Sequence, residues 1–303
     1  METQLASDRV SATPDFAPLI ARMSPFEASF LFAVQASSAS GDDPWILLRN
    51  GHRLYGFSDW RETYYAPIFR DFSETLLYLG IHEHAYGAYF DAMISYHTEN
   101  ALPLRKSLYL RSGDIVLDIG VRGGHFLPKA SSIVGPTGHV FAIDPTESAR
   151  HFCNLHIEAN GLRNCTFVGS PIGAVDGEER SFFTGSSGEA FSGLYETTFT
   201  RDTPIVTASH HTSKARVITR TIDSIVAERA LPRVDFIILQ INGAEREALK
   251  GAADTLRKFK PTLYVTSCQS TADYDPDPEG RDIKGYGYRL IARSETSSIF
   301  SCA

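Results

Sequence analysis

The architecture of this chain is indicated by ten residues, Val116-Leu117-Asp118-Ile119-Gly120-Val121-Arg122-Gly123-Gly124-His125, an apolar run that breaks into glycines. A buried strand that ends in an acid and turns through glycines into a helix is typical of folds that bind a nucleoside. The next apolar run, 138–143, leads to Asp144, which follows Gly124 by 20 residues. A second acid at this distance is the residue type that binds ribose hydroxyls. We therefore predict a cofactor site where these two strands end.

The glycine spacing separates two classes of cofactor. A dinucleotide site uses Gly-x-Gly-x-x-Gly so that the backbone can approach a pyrophosphate. Here Val121 and Arg122 follow Gly120, and the motif is Asp-x-Gly-x-x-Gly-Gly. It places the Asp118 carboxylate beside the loop as an acceptor for an ammonium group or water. These features suit S-adenosylmethionine, whose sulfonium would be repelled by a cationic phosphate cradle.

The predicted cofactor residues lie in the glycine loop and directly after the second strand: Asp118, Gly120, Arg122, Gly124, His125, Asp144 and Pro145. We expect Asp144 to accept both ribose hydroxyls, which needs an ionised acceptor with two oxygens. Arg122 is a bulky cation close to the expected methionine carboxylate. We consider three orientations for its side chain: it binds that carboxylate, it binds an anionic acceptor, or it points to solvent.

The composition restricts the class of protein. The 303 residues include 29 basic and 36 acidic side chains, for a net charge of −7, without a block of Lys and Arg. We therefore expect neither nucleic acid nor a membrane as a partner. No apolar run is long enough to span a bilayer, and the N terminus does not resemble a secretory signal, so we expect a cytoplasmic protein. The four cysteines form no Cys-x-x-Cys pair, and we predict no metal site.

Strands and helices alternate from about residue 108, which predicts a doubly wound, mostly parallel seven-stranded sheet. Together with the cofactor residues, this predicts an S-adenosylmethionine-binding domain over 108–303. The last two strands suit an antiparallel hairpin. Helices are expected from the glycines to Gly135, from Thr146 to Asn160, and as one helix through 249–256 with Glu245 largely outside. The predicted strands lie near 114–118, 138–143, 164–168, 234–240, 262–267, 287–292 and 297–302.

Residues 1–107 have a different pattern. Helical spacing over 26–35 and 69–98 predicts a mainly helical N-terminal segment, and 46–55 predicts a hairpin that turns at Asn50-Gly51. The segment is rich in aromatic residues, which suits a cap, a substrate lid or a homodimer contact. A polar stretch over 175–214 interrupts the alternation, and we expect a functional or mobile loop there.

Taken together, residues 110–268 resemble the FkbM-type family of S-adenosylmethionine-dependent methyltransferases. The resemblance rests on several motifs in the right order: Val116-Leu117-Asp118-Ile119-Gly120 with Gly124, 138–143 with Asp144-Pro145, 154–160, Thr221-Ile222-Asp223-Ser224-Ile225, 234–238 and Gly243-Ala244-Glu245. It implies a class I, Rossmann-like methyltransferase fold. It also implies methylation of hydroxyls on sugars, polyketides and related metabolites.

The chain departs from the family pattern after the fourth strand. The family has Lys-x-Asp-x-Glu-Gly-x-Glu, and here Gln240 and Asn242 replace the first two acids. Amides cannot act as general bases and bind hard divalent cations poorly. At the crevice where such sheets bind ligands, we expect both amides to orient the acceptor.

We predict O-methylation of a small-molecule hydroxyl, in a sugar or secondary metabolite. A histidine is the expected base, because its pKa lies near neutrality. The candidates are His125, His210 and His211, together with His82, His84 and His97 in the N-terminal segment. Two alternatives stay open. One is an anionic, carbon or nitrogen acceptor that needs no carboxylate base, and the other is a degenerate fold that binds a partner without catalysis.

Overall fold

The computed structural model describes residues 34–38, 43, 45–55, 104–185, 192–196, 198–200, 203–206, 211–266, 280–294 and 297–302. The predicted helix over 69–98 and His82, His84, His97 and His210 lie outside these residues. So does most of the helix predicted over 26–35, but residues 34 and 35 belong to a strand, so that helix does not extend to residue 35. None of the described helices is long and apolar enough to cross a membrane.

The described residues form fourteen strands: β1 Val34–Ser38, β2 Trp45–Leu48, β3 Arg53–Tyr55, β4 Ile115–Ile119, β5 His139–Ile143, β6 Cys165–Val168, β7 Glu179–Gly185, β8 Thr198–Thr200, β9 Thr203–Val206, β10 His211–Ile218, β11 Phe236–Leu239, β12 Thr262–Thr266, β13 Tyr288–Arg293 and β14 Ser297–Cys302. They also form five α-helices: α1 Leu127–Val134, α2 Glu147–Ala159, α3 Ile222–Glu228, α4 Glu245–Lys250 and α5 Ala253–Phe259. Two 3₁₀ helices span Lys106–Tyr109 and Arg281–Tyr286.

Seven strands form the central sheet in the order β13-β14-β12-β11-β4-β5-β6. The five strands from β12 to β6 are parallel, and β14 pairs antiparallel with both β12 and β13. This arrangement confirms the predicted doubly wound sheet and its closing hairpin. The chain order reverses between β4 and β11, so the ligand crevice of this sheet lies beyond the carboxyl ends of these two strands.

Alternation along the strands gives the sheet two apolar faces. On one face, Val116, Val140 and Ile238 pack in a cluster that includes α1. On the other face, Leu117 and Ile237 pack in a cluster that includes α3 and α5. Both faces are covered, which is why the strands read as continuous apolar runs.

The first helix begins later than the glycines. Gly120, Arg122 and Gly124 have φ angles of 82°, 51° and 70°, which interrupt a right-handed helix, and α1 begins only at Leu127. A Cβ at residue 120 would lie 2.0 Å from the backbone oxygen of Gln240. Glycine is therefore required where the loop after β4 crosses the end of β11.

The helix expected through 249–256 is two helices, α4 and α5, separated at Gly251 and Ala252. The Asp223 carboxylate explains the second start, because it accepts from the backbone N–H groups of Asp254 and Thr255 at 2.9 and 2.8 Å. Glu245 was expected to lie largely outside, and that was wrong, since only 2% of the residue is exposed.

The polar stretch over 175–214 contains β-structure. Strand β7 pairs antiparallel with β10, and β8 pairs with β9. Residues Phe182 and Phe183 of β7 are buried, so the stretch has its own apolar contacts. Near the N terminus, β2 and β3 form the predicted antiparallel hairpin around Asn50-Gly51.

Candidate active site

A cavity of about 340 Å³ lies at the carboxyl ends of β4, β5 and β11. Its wall combines the glycine loop, the residues after β5 and β11, and residues 192–194 of the polar stretch. All the predicted cofactor residues line it except Gly124, at which a Cβ would lie 2.8 Å from Cys153 Sγ on α2. The sequence pattern therefore brings together most of the residues predicted to bind the cofactor.

The two acids lie on this wall at the ends of neighbouring strands. Asp118 is 2% exposed and Asp144 is 8% exposed. Asp144 Oδ1 accepts from the backbone N–H and hydroxyl of Thr146 at 3.0 and 2.7 Å, and Oδ2 accepts from the Arg122 N–H at 3.1 Å. These donors fix the orientation of the carboxylate and use part of its acceptor capacity. Binding of both ribose hydroxyls stays a prediction.

Arg122 lines the cavity with its backbone in the left-handed region, at φ 51°. Its Nε and Nη2 atoms are buried. These buried atoms disfavour the orientation that points to solvent, and the two clamping roles stay predictions.

His125 is 3% exposed and packs beneath the N-terminal hairpin. Its Nε2 donates to the Tyr55 carbonyl, and its ring stacks edge-on against His156, with 5.2 Å between ring centres. His156 Nε2 accepts from the Tyr55 N–H at 3.0 Å, and its Nδ1 donates to the Phe152 carbonyl at 2.8 Å. The two imidazoles thus bind both backbone polar groups of Tyr55. This geometry favours a docking role for His125, and its role as a base stays a prediction.

Sequence reasoning missed His156. Complete burial lowers its pKa to about 3, since a protonated imidazole would lose its solvation there. Its one sequence signal is the position four residues after Phe152, on the inward side of α2.

The sequence patterns also gave no indication of Lys106. Its Nζ donates to Gln240 Oε1 at 2.8 Å across the cavity wall. The same atom lies 4.7 Å from the ring centre of Phe126 and 5.8 Å from that of Tyr264. A contact between residues 134 positions apart leaves no local signal in the sequence.

Asn242 follows β11 with a φ of 53°, a conformation that asparagine tolerates. Its Nδ2 donates to the Ser192 carbonyl at 2.8 Å. Gly193 is held further by two backbone hydrogen bonds with Phe183, at 2.8 and 2.9 Å. Asn242 therefore anchors the polar stretch against the cavity.

Glu245 holds the loop that carries Gln240 and Asn242. Its Oε1 accepts from the Ile241 N–H at 2.8 Å, and its Oε2 accepts from the Gly243 N–H at 2.9 Å. Burial raises the pKa of this carboxyl to about 7, although the backbone donors act in the opposite direction. The group is a positioning residue of the cavity wall.

The remaining candidate base on the described chain, His211, begins β10, where its backbone is paired with Gly185. Within the described ranges, no three His, Cys, Asp or Glu side chains are grouped so that they could bind a metal ion. The polar groups that line the cavity thus include the carboxylates of Asp118 and Asp144 and the pair of Lys106 and Gln240, beside the glycine loop.

A family model described as "Methyltransferase FkbM domain" matches residues 118–290. Solved structures similar to this chain include a SAM-dependent methyltransferase from Aquifex aeolicus, with 18% identity, 68% of this chain and 96% of that chain covered, and a TM-score of 0.36. A methyltransferase FkbM from Methylobacillus flagellatus KT has 17% identity, with 78% and 60% covered and a TM-score of 0.41. A putative rRNA-methylase from Clostridium thermocellum has 9% identity, with 69% and 96% covered and a TM-score of 0.36. The expectation that nucleic acid is excluded as a partner stays a prediction.

Proposed function

The chain belongs to the family of FkbM methyltransferases and is an S-adenosylmethionine-dependent enzyme, and from this premise we propose that it methylates a hydroxyl group of a small molecule. The observation that carries the proposal is the cavity of about 340 Å³, whose wall holds two carboxylates, at the ends of β4 and β5, and the pair of Lys106 and Gln240, of which Gln240 follows β11. We call the wall around Asp118 and Asp144 the cofactor end and the wall around Lys106 and Gln240 the acceptor end. The size of the cavity is that of a small-molecule site. The net charge of −7 supports an acceptor other than nucleic acid.

The residues present fit the cofactor. Asp144 is oriented to accept a ribose hydroxyl, and Asp118 offers a carboxylate for the ammonium group. Gly120 leaves space where any Cβ would collide with the end of β11. We propose that Arg122, His125 and Pro145 complete this end of the site.

S-adenosylmethionine supplies a methyl group that is already activated on a sulfonium. The task of the protein is therefore to position the acceptor in line and to exclude water. Phe126 and Tyr264 provide apolar wall at the acceptor end, and Gln240 offers its amide to the acceptor. For the base we keep His210 and His211 ahead of His125, because the Nε2 of His125 is engaged by Tyr55.

We also propose that 1–107 is a separate segment that serves the domain over 108–303 as a cap or as a dimerisation or substrate segment. Two observations support a cap. The hairpin of β2 and β3 is held on α2 through Tyr55, and Lys106 reaches the cavity. From composition we also propose that the enzyme is cytoplasmic. From family resemblance we propose that it acts in secondary metabolism.

Calorimetry with S-adenosylhomocysteine tests the cofactor site. We expect wild-type binding, and a loss of about 30- to 100-fold in affinity for Asp144→Ala, because hydrogen bonds to a charged group are each worth about 1.5–3 kcal/mol. Asp254→Ala is the matched control, since this aspartate is exposed at the start of α5. Absence of wild-type binding, or an unchanged affinity in Asp144→Ala, would sink the proposal.

Turnover separates an enzyme from a non-catalytic binding module. Wild-type protein is given S-adenosylmethionine and a panel of hydroxylated sugars, phenols and hydroxy acids, and release of S-adenosylhomocysteine is followed. We expect at least one hydroxylated acceptor to be methylated. Cofactor binding without turnover on any acceptor would favour the module instead.

A further inference from the structure

Lys106 is a cation held where three segments of the chain meet at the acceptor end of the cavity. Its ammonium group contacts Gln240 after β11, Phe126 in the loop before α1, and Tyr264 on β12. The contacts are a hydrogen bond of 2.8 Å and two ring faces within 6 Å, so the position of the charge is well defined. The residue is half-buried, and it lines the cavity.

The described surroundings satisfy this ammonium group only in part. An ammonium group has three N–H donors, and Gln240 accepts one of them. Within the part of the chain that the structure describes, Gln240 is the one hydrogen-bond partner of Lys106, and no carboxylate lies within ion-pair distance. An amide accepts a hydrogen bond but carries no charge, so the residues that the structure describes do not neutralise the positive charge.

A half-buried cation between aromatic rings costs free energy unless a negative group compensates it. A neutral acceptor would displace water from Lys106 and supply no compensating charge. An acceptor with an anionic oxygen group would supply both the charge and the acceptor atoms for the remaining N–H groups.

We propose that the methyl acceptor carries a carboxylate or a phosphate, and that Lys106 binds this group beside Gln240. The inference rests on the proposed function, since it names the class of acceptor for the same cavity. Lys106 is then a residue that determines acceptor specificity, separate from the carboxylates that bind the cofactor.

The test uses full-length protein saturated with S-adenosylhomocysteine and two matched pairs of probes. Benzoate against benzamide tests a carboxylate, and phenyl phosphate against phenol tests a phosphate. We expect the anionic member of at least one pair to bind about tenfold or more tightly than its neutral partner. The pair that shows the larger difference identifies the source of the negative charge.

Lys106→Met keeps the apolar stem and removes the charge, and Lys106→Arg keeps the charge with a different donor geometry. We expect the methionine variant to abolish the preference for the anion, while the arginine variant retains part of it. Affinity for S-adenosylhomocysteine should change less than threefold in both. This measurement also reports that the variants are folded.

Gln240→Glu gives an independent variant in which the side chain keeps its length. The new carboxylate would lie beside Lys106, neutralise it and repel an anion. We expect the preference for the anionic probe to fall about tenfold or more, again without loss of cofactor affinity.

The outcomes separate the two proposals. If wild-type protein does not bind S-adenosylhomocysteine, the proposed function fails. If it binds the cofactor product but binds anionic and neutral probes equally up to 10 mM, or if Lys106→Met keeps the preference, only the role of Lys106 is overturned.

Discussion

The two ends of the cavity have opposite charge. At one end Asp118 and Asp144 are buried carboxylates, which suit a cofactor with a sulfonium and an ammonium group. At the other end a lysine is paired with an uncharged amide, Gln240. The difference leads to our proposal that each end complements its own ligand, an anionic acceptor at Lys106 and a cationic cofactor at the two carboxylates.

The two ends also differ in what holds them. Asp144 is oriented by Thr146 and Arg122, which are 2 and 22 positions away in the chain. At the acceptor end Lys106 and Gln240 are 134 positions apart, and Asn242 and Ser192 are 50 positions apart. The cofactor end therefore depends mainly on local chain geometry, and the acceptor end depends on tertiary packing.

Gly120→Ala should disrupt both ends of the cavity, because at this residue the glycine loop after β4 contacts the end of β11. A Cβ at residue 120 would lie 2.0 Å from the backbone oxygen of Gln240, and the backbone of residue 120 has a φ of 82°. We expect a loss of about 5 kcal/mol in the free energy of unfolding, from left-handed strain and overpacking together. Urea denaturation measures it.

Gly161→Ala is the matched control for that variant. Its φ is 60°, but no atom lies within 4 Å of the added Cβ. We expect only the cost of backbone strain, about 1 to 2 kcal/mol. Equal losses in the two variants would show that the contact with β11 does not matter.

Acidification tests how His156 holds the N-terminal hairpin on α2. Burial lowers its pKa from 6.5 to about 3, so the folded protein keeps the imidazole neutral while the unfolded chain binds a proton below pH 6.5. The stabilisation is complete above pH 6.5 and falls as the pH drops towards 3, at about 1.4 kcal/mol per pH unit and about 5 kcal/mol in all. Urea unfolding at several pH values measures the slope.

His156→Gln provides the reference, because its amide oxygen can still accept from the Tyr55 N–H and does not titrate. Between pH 6.5 and 5 we expect the unfolding free energy of the variant to change with pH less steeply than that of wild type. The difference corresponds to one proton, or about 1.4 kcal/mol per pH unit. Identical slopes would mean that His156 is not buried in the neutral form.

Glu245 should respond to pH in the opposite direction, which sharpens the contrast. Burial raises its pKa from 4.5 to about 7, so the folded protein favours the protonated carboxyl. Its contribution to the free energy of unfolding is complete below pH 4.5. This contribution, about 3 kcal/mol in all, is lost as the pH rises through 7. Relative to Glu245→Gln, wild type should lose unfolding free energy over this range. A difference that does not change with pH would contradict this.

The sequence predicts the cofactor end and the sheet because their signals are local. Apolar runs mark the strands, Thr146 caps α2 three residues before Ala149, and Gly161 follows the end of this helix. Lys106 has no comparable signal, since its partners come from distant segments. His156 has only its position on the inward side of α2, because Tyr55 lies 101 positions away. Glu245 was misassigned because helical periodicity places it outside, whereas its carboxylate folds back to accept the loop N–H groups.

The strands β7 and β10 were missed for a related reason. Their segment is bordered by Gly, Ser and Thr, a composition that predicts a loop. The strands are paired with each other outside the central sheet, and burial of Phe182 and Phe183 stabilises them. Only the pairing itself distinguishes such a segment from an irregular connection.

Asn242→Ala is expected to have the smallest effect, and it tests whether tertiary contacts hold the acceptor end. The variant removes the hydrogen bond of 2.8 Å to the Ser192 carbonyl and puts alanine at φ 53°. We expect a loss of about 1 to 2 kcal/mol in unfolding free energy. Asn242→Gly removes the same hydrogen bond without the strain, so the difference between the two variants isolates the backbone cost. If the hydrogen bond anchors the polar stretch, both variants should also speed amide exchange of Gly193, which is bonded to Phe183. Unchanged exchange in both variants would show that Asn242 does not anchor this part of the cavity wall.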